Sequence, residues 1–116
     1  MKIKGLNVFI SGPMSGINHY NVGEFAKAHA ICKEAGAEAI YDPAYEYLYC
    51  RESSVPHKEW LRRCISALTM DTRVSYKPFY EVLVQLPGWE DSEGAKTEAT
   101  VADACGIKRI ALEDVE

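Results

Sequence analysis

The segment Leu6-Asn7-Val8-Phe9-Ile10-Ser11 is a run of apolar and β-branched residues that stops at Gly12-Pro13, a strong turn signal. Because the run shows little polar alternation, it predicts a strand that is buried on both faces. A helical pattern follows from Asn21 to Ala35, with apolar or small residues recurring near the helical period. A buried strand followed by a helix predicts an α/β fold.

The same alternation continues along the rest of the chain. Strands are predicted at Glu38–Tyr41, Tyr80–Leu86 and Ile107–Leu112, and helices at His57–Thr69 and Ala95–Cys105. The strands are rich in apolar residues, so we predict a parallel sheet of four to five strands with helices on both faces. This is a small doubly wound, flavodoxin-like α/β domain.

Caps and loops mark the boundaries of these elements. Asn18 or Asn21 is placed to cap the first helix, and Gly36 fits the position after its end. The segment from Met70 to Pro78 is irregular and mixed in charge, which predicts an exposed loop before the third strand.

Length and charge limit the function. The 116 residues allow one core, so residues 1–116 are predicted to form a single domain. A net charge of −4 argues against a surface that coats nucleic acid, because such a surface needs clustered positive charge. No apolar run approaches the roughly 20 residues that cross a bilayer, and the start lacks the apolar segment of a signal peptide. We therefore predict a cytoplasmic protein with no membrane or nucleic-acid partner.

The four cysteines and three histidines are scattered along the chain. No CxxC pair is present, and no histidine lies at zinc-site spacing from a cysteine. Cys32, Cys64 and Cys105 fall in apolar helical patterns, which predicts buried reduced thiols, and Cys50 lies far from the others. Neither a metal nor an organic cofactor is predicted.

Three loops are expected at the carboxyl ends of the strands, where open α/β sheets bind their ligands. The first is Ser11-Gly12-Pro13-Met14-Ser15-Gly16. Its glycines let the backbone approach a ligand, and its free amides can hold an anion. A tight strand-to-helix turn has the same composition, so both interpretations remain open. The loop has neither the GxGxxG of a dinucleotide site nor the Gly-Lys-Ser/Thr of a Walker A loop.

The second loop runs from Leu86 to Glu98, with the sequence LPGWEDSEGAKTE. Ser92 and Gly94 precede the predicted helix, so hydroxyl and amide donors gather at the positive end of its dipole. Glu98 is expected in the first turn, where a carboxylate is favoured in the ionised form that a nucleophile requires. Helix capping by Ser92, with Glu93 and Glu98 as acids that complement the dipole, explains the same pattern.

The third loop begins at Asp42-Pro43 and is rich in tyrosine. Aromatic rings beside a cleft can stack on a planar base, although tyrosines also pack on ordinary protein surfaces. The candidate walls of a base pocket are Met14, Tyr20, Tyr41, Tyr45 and Trp89.

Together these motifs resemble the nucleoside 2-deoxyribosyltransferase superfamily. The likeness to its first half rests on Val8–Gly16, Asn21, Phe25, Gly36 and Asp42-Pro43. The likeness to its second half rests on Leu86–Glu98, Ala102 and Gly106. The resemblance is closest to a phage-associated branch with an LPGWxxSxGAxxE motif, and it spans nearly the whole chain.

The resemblance implies chemistry at the N-glycosidic bond of a 2-deoxynucleoside. In the family, the glutamate matched by Glu98 attacks the anomeric carbon and displaces the base, and water or a second base resolves the sugar ester. The family's hydrolases act on nucleoside 5′-monophosphates; Ser92 holds the place of their phosphate-binding serine, and Gly94 that of a small residue beside the phosphate. Gly88 and Trp89 belong to the same substrate-binding loop. The resemblance thus implies an N-glycosidase acting on a 2-deoxynucleoside 5′-monophosphate.

A general acid must protonate the departing base. The family places an aspartate near the third strand, and both Asp71 and Glu81 fit that pattern because the segment between them shifts the register. Asp42 is a third candidate that also suits the turn of its own loop. Family sites are usually completed by a neighbouring subunit, so the resemblance implies a homodimer or larger homo-oligomer.

Other functions fit the same residues. A deoxyribosyltransferase would use Glu98 on unphosphorylated nucleosides and pass the sugar to a second base. A non-catalytic sensor would bind a nucleotide or an ADP-ribose-like signal in the same cleft. A purely structural module is the simplest alternative.

Overall fold

The computed structural model describes residues 1–14, 21–45, 56–72 and 76–116. Within these residues, four parallel strands form one sheet in the order β2-β1-β3-β4. The strands are β1 (Asn7–Ser11), β2 (Ala39–Tyr41), β3 (Val82–Gln85) and β4 (Lys108–Ala111). The α-helices are α1 (Val22–Glu34), α2 (His57–Leu68) and α3 (Glu93–Ala104). Short 3-10 helices are formed by Trp89–Asp91 and Leu112–Asp114.

The strand order confirms the predicted fold class, because it matches the first four positions of the flavodoxin-like order. β1 pairs in parallel with β2 on one side and with β3 on the other. The chain passes from β1 to β2 and then returns past β1 to β3. The strand order therefore reverses between β1 and β3, and the carboxyl ends of these strands form the switch point of the sheet.

The sheet is covered on both faces because the side chains of β1 alternate between two helical layers. Ile10 packs with Phe25 of α1, whereas Phe9 packs with Leu68 of α2 and Ala102 of α3. These side chains are buried. The lack of polar alternation in the first strand thus reflects apolar neighbours above and below it.

The third helix differs from its predicted bounds. It begins at Glu93, two residues before the predicted Ala95, because the Ser92 hydroxyl accepts a hydrogen bond from the Ala95 amide at 3.2 Å and caps the helix. Glu98 consequently lies in the second turn of α3, and its predicted place in the first turn is wrong. The capping role foreseen for Ser92 is confirmed.

The start of α1 also differs from the prediction. Asn21 occupies the N-cap position but makes no side-chain cap; its backbone is left-handed, with φ of 63°. Its side-chain amide instead donates to the Pro13 carbonyl at 2.9 Å, which ties the helix start to the loop after β1. Asn18 lies outside the described residues. Gly36 follows the helix with φ of 91°, as its predicted position requires.

The remaining local predictions hold in part. The predicted loop from Met70 to Pro78 contains an antiparallel bridge between Asp71 and Pro78. Cys32 and Cys64 are buried, as predicted, but Cys105 is exposed because it is the C-cap residue of α3, where the apolar face of the helix has ended. Cys50 lies outside the described residues. No helix in the described part of the chain is long and apolar enough to cross a membrane.

Candidate functional site

A cleft of about 590 Å³ opens at the carboxyl edge of the sheet, between the ends of β1 and β3 and the starts of α1 and α3. This is the switch point of the sheet, where ligands of doubly wound folds bind. The described residues that line the cleft are Pro13, Asn21, Glu24, Leu86, Pro87, Gly88, Asp91, Ser92 and Glu93. Three of the predicted substrate contacts, Pro13, Gly88 and Ser92, are therefore on its wall.

Glu98 lies about 9 Å along α3 from Ser92, with its side chain turned toward the sheet. It is 6% exposed, and its Oε1 accepts a hydrogen bond from the Ser11 hydroxyl at 2.6 Å. Ser11 is the last residue of β1 and is itself buried. The fold thus joins the predicted nucleophile to the first predicted loop across 87 residues of sequence.

Burial raises the pKa of Glu98 to about 7, although the hydrogen bond from Ser11 lowers it. The expectation of a carboxylate held ionised by the helix dipole is therefore wrong. Glu98 lies beyond the free amides of the first turn, where the dipole acts most strongly, and desolvation outweighs the dipole and the hydrogen bond. Both the protonated and the ionised form of Glu98 are therefore expected near neutral pH.

Gln85 is a buried polar residue beside Ser11 that sequence reasoning did not single out. It ends β3 as the register partner of Ser11, so both side chains lie on the same face of the sheet. Gln85 is 6% exposed, and its Nε2 has no hydrogen-bond partner among the described residues. The available signal was a lone amide at the end of an apolar strand. We refer to Ser11, Gln85 and Glu98 as the buried polar cluster.

Gly12 is required by local packing. A Cβ atom at this position would lie 2.7 Å from the Cβ of Leu86, so only glycine lets the chain pass over the end of β3. Gly88 adopts φ of 86° and leads into the 3-10 helix at Trp89–Asp91. A Cβ at Gly94 would make ordinary contacts of 3.9 Å with His57 and other α2 atoms, so Gly94 faces α2 rather than the cleft.

The residues predicted to form the walls of a base pocket do not lie together in the described part of the structure. Tyr41 stacks on Phe9 with ring centroids 4.6 Å apart, because its place on β2 directs it over the sheet. The Trp89 ring lies beneath the Arg109 guanidinium, on the β4 side of the site. Tyr45 is half exposed and Met14 packs near Phe25 in the α1 layer. Ser15 and Tyr20 lie outside the described residues.

Asp42 holds its own turn, as the alternative interpretation of this residue expected. Its Oδ1 accepts hydrogen bonds from the Ala44 and Tyr45 amides at 3.0 and 3.2 Å. Its Oδ2 lies 3.1 Å from Nδ1 of His29 on α1. Because these contacts occupy both oxygens on the α1 side of the sheet, Asp42 is not joined to the buried polar cluster.

The two other acid candidates lie at the opposite edge of the sheet from Glu98. Glu81 precedes β3, and its Oε1 accepts a hydrogen bond from the Asn7 amide at the start of β1. Asp71 is bridged to Pro78, and the adjacent Phe79 carbonyl accepts a hydrogen bond from the Asn7 side chain. The length of β1 separates this edge from Ser11 by about 13 Å. Neither acid therefore meets Glu98 within one chain.

The electrostatics of the cleft are mixed. The amino ends of α1 and α3 both reach it, and their free amides favour an anion. Glu24, Asp91 and Glu93 line it, and no lysine or arginine is among the described lining residues. Lys27 and Lys96 pair with Glu24 and Glu93 at 3.2 and 2.9 Å from outside the lining. Among the described residues, no group of His, Cys, Asp and Glu is arranged to hold a metal ion.

Comparison with known proteins assigns the chain to a family. No curated protein and no solved structure matches it at a significant level. Residues 6–111 match the family described as a domain of unknown function, DUF4406. The match runs from the start of β1 to the end of β4 and includes the cleft and the buried polar cluster. The chain therefore belongs to the DUF4406 family.

Proposed function

We propose that this protein hydrolyses the N-glycosidic bond of a 2-deoxynucleoside 5′-monophosphate, with Glu98 as the nucleophile. The observation that carries the proposal is a buried carboxyl group, oriented by the Ser11 hydroxyl, on the helix whose first residues line the cleft. Glu98 itself is not among the described residues that line the cleft. Membership of DUF4406, a nucleoside 2-deoxyribosyltransferase-like family, supports the same chemistry.

The reaction proceeds by double displacement. Ionised Glu98 attacks the anomeric carbon and forms an ester with the sugar, while the bond to the base breaks and its electron pair leaves with the base. Water then attacks the anomeric carbon and gives a proton to the group that protonated the base, which releases deoxyribose 5-phosphate and restores the carboxylate. Because Glu98 is only 6% exposed, the sugar reaches it only when the neighbouring side chains that cover it move apart.

The proton for the departing base comes from a group other than Asp71 or Glu81 of the same chain, since both lie at the far edge of the sheet. A residue of a second copy is the route that the expected homo-oligomer provides. The phosphate is placed at the amino end of α3, where Ser92 and the first-turn amides supply donors.

A transferase acting on unphosphorylated nucleosides is the second candidate. Three carboxylates lie on the cleft wall, and no lysine or arginine lines it among the residues that the structure describes. Both features favour the transferase, because a phosphate dianion is repelled by carboxylates. Such an enzyme would use Glu98 in the same way but pass the sugar to a second base. The Asp91→Asn variant separates the candidates. If the protein is the monophosphate hydrolase, removing this charge strengthens its use of monophosphates. If it is the transferase, removing this charge leaves its use of nucleosides unchanged.

The proposal is tested by incubating the protein with a panel of deoxynucleoside monophosphates and the matching nucleosides and measuring free base. We expect base release from at least one monophosphate and a loss of at least about 100-fold in Glu98→Gln. The matched control is Glu24→Gln, which changes a carboxylate on the cleft wall and retains turnover. Base exchange without free sugar phosphate favours the transferase, whereas binding without any release of base indicates a sensor and contradicts the proposal.

A further inference from the structure

We propose that Gln85 is a positioning residue for Glu98: its side-chain amide donates a hydrogen bond to the Glu98 carboxylate after that group has lost its proton. The inference deepens the proposed function, because it gives the nucleophile a second donor in its reactive state. It rests on contacts within the folded chain, and its test does not need a substrate.

The first argument is the unpaired amide itself. Gln85 Nε2 is buried and has no hydrogen-bond partner among the described residues, although it carries two N–H donors. A buried donor without a partner is unfavourable, and such groups in native proteins commonly mark a functional position. The rest of β3, Val82–Val84, is apolar, so a leucine or valine would fit the same strand without this cost.

The second argument is the geometry of the buried polar cluster. Gln85 and Ser11 are register partners on adjacent strands, which places their Cα atoms about 5 Å apart with both side chains on one face. The Ser11 hydroxyl already reaches Glu98 Oε1 at 2.6 Å. The glutamine side chain is longer than that of serine and has three torsions, so rotation of this side chain toward the carboxyl group is the movement that the proposal requires.

The third argument is the charge of the acceptor. A hydrogen bond to an ionised carboxylate is roughly twice as strong as one between neutral groups, and a carboxylate accepts more bonds than Ser11 alone supplies. The Gln85 amide therefore gains most from turning to Glu98 after the proton has left. In this way Gln85 would hold the reactive oxygens in place and favour the ionised form.

The titratable groups on the elements packed against Gln85 and Glu98 can be distinguished from Glu98 by experiment. Of the side chains that the structure describes, four titratable ones face this side of the sheet. His57 and Cys64 are on α2, Tyr41 is on β2, and Tyr80 precedes β3. Each of these residues interacts with at least one other group. On α3 itself, the charged Lys96 and Asp103 are exposed and pair with Glu93 and Arg109. A double-mutant cycle that includes Glu98 removes their contribution.

The test compares urea unfolding of the wild type, Gln85→Leu, Glu98→Gln and the double variant at about pH 5 and about pH 8.5. We expect Gln85→Leu to match or exceed the stability of the wild type at the lower pH, where Glu98 is protonated. At the higher pH we expect it to be less stable, with proton binding at Glu98 tightened by roughly tenfold. In the Glu98→Gln background, the effect of Gln85→Leu should be the same at both pH values.

An equal change at both pH values, of either sign, overturns the proposal, as does a pH dependence that survives in Glu98→Gln. If Gln85→Leu does not fold, Gln85→Met replaces it, because methionine keeps the length and flexibility of the side chain. An NMR titration of the wild type gives the same answer: the Gln85 side-chain amide resonances should shift with a midpoint near pH 7 and should stay fixed in Glu98→Gln. If this coupling is present but no base is released from any substrate, the proposed function fails and the positioning role stands.

Discussion

The carboxyl group of Glu98 couples folding to pH, because burial raises its pKa in the folded protein from 4.5 to about 7. A carboxyl with a raised folded pKa favours folding most when it is protonated. The contribution of Glu98 to the free energy of unfolding is therefore fully present below about pH 4.5. It is lost as the pH rises through 7, by roughly 3 kcal/mol in total.

The Glu98→Gln variant is expected to remove this loss. The glutamine carbonyl still accepts the hydrogen bond from Ser11 but does not ionise. We expect the variant to be more stable than the wild type by roughly 2–3 kcal/mol above about pH 8 and nearly equal to it below about pH 4.5. Urea unfolding over a pH series checks this, and two parallel stability curves would contradict it.

Ser11 stabilises the ionised form of Glu98, because its hydroxyl is the hydrogen-bond donor that lowers the pKa of that carboxyl group. In Ser11→Ala we expect the pKa of Glu98 to rise further and the stability to fall by about 1–2 kcal/mol. Ser92→Ala is the matched control: it loses a helix cap worth about 1 kcal/mol, but its cost should not change with pH. NMR titration of the Glu98 carboxyl group measures the change, and an unchanged pKa in Ser11→Ala would refute the assignment.

The junction between β1 and β3 depends on the absence of a side chain at Gly12. Its Cβ would lie 2.7 Å from Leu86, so we expect Gly12→Ala to destabilise the fold by about 1–3 kcal/mol. Gly23→Ala in α1 is the control, because no atom lies within 4 Å of its added Cβ and alanine favours helix by up to about 1 kcal/mol. Chemical denaturation compares the two, and equal effects would mean that this junction is not tightly packed.

The strands and helices were predictable because apolar run length and helical periodicity report directly on burial. The direction of a strand is harder to use from sequence alone. Glu81 fits the spacing of a catalytic acid, yet β3 runs away from it toward the site, so it lies at the wrong edge. The start of α3 was misplaced for a related reason, since Ser92 caps a helix that begins directly after it.

For the molecule as a whole, the proposed nucleophile predicts the pH dependence of activity. Only ionised Glu98 attacks the sugar, so kcat/KM for base release should rise with pH through about 7. In Ser11→Ala the midpoint should move to higher pH. Steady-state rates over a pH series test this, and a rate that falls across the same range would instead indicate that Glu98 acts as an acid.

The fold class and the place of the cleft follow from sequence, because the alternation of strands and helices fixes where the strand order reverses. The protonation of Glu98 and the hydrogen bonding of Gln85 do not follow from sequence. The protonation of Glu98 depends on desolvation by side chains far away in sequence, and the unpaired amide of Gln85 exists only because β3 lies beside β1. These properties arise from packing in three dimensions, which residue spacing does not encode.

The most direct test of the account is mass spectrometry of the protein quenched in acid during incubation with a deoxynucleoside monophosphate. We expect a peptide that contains Glu98 with the added mass of one deoxyribose 5-phosphate ester, and no such adduct in Glu98→Gln. Turnover with the sugar ester on a different residue, or with no ester under any quench condition, would contradict it.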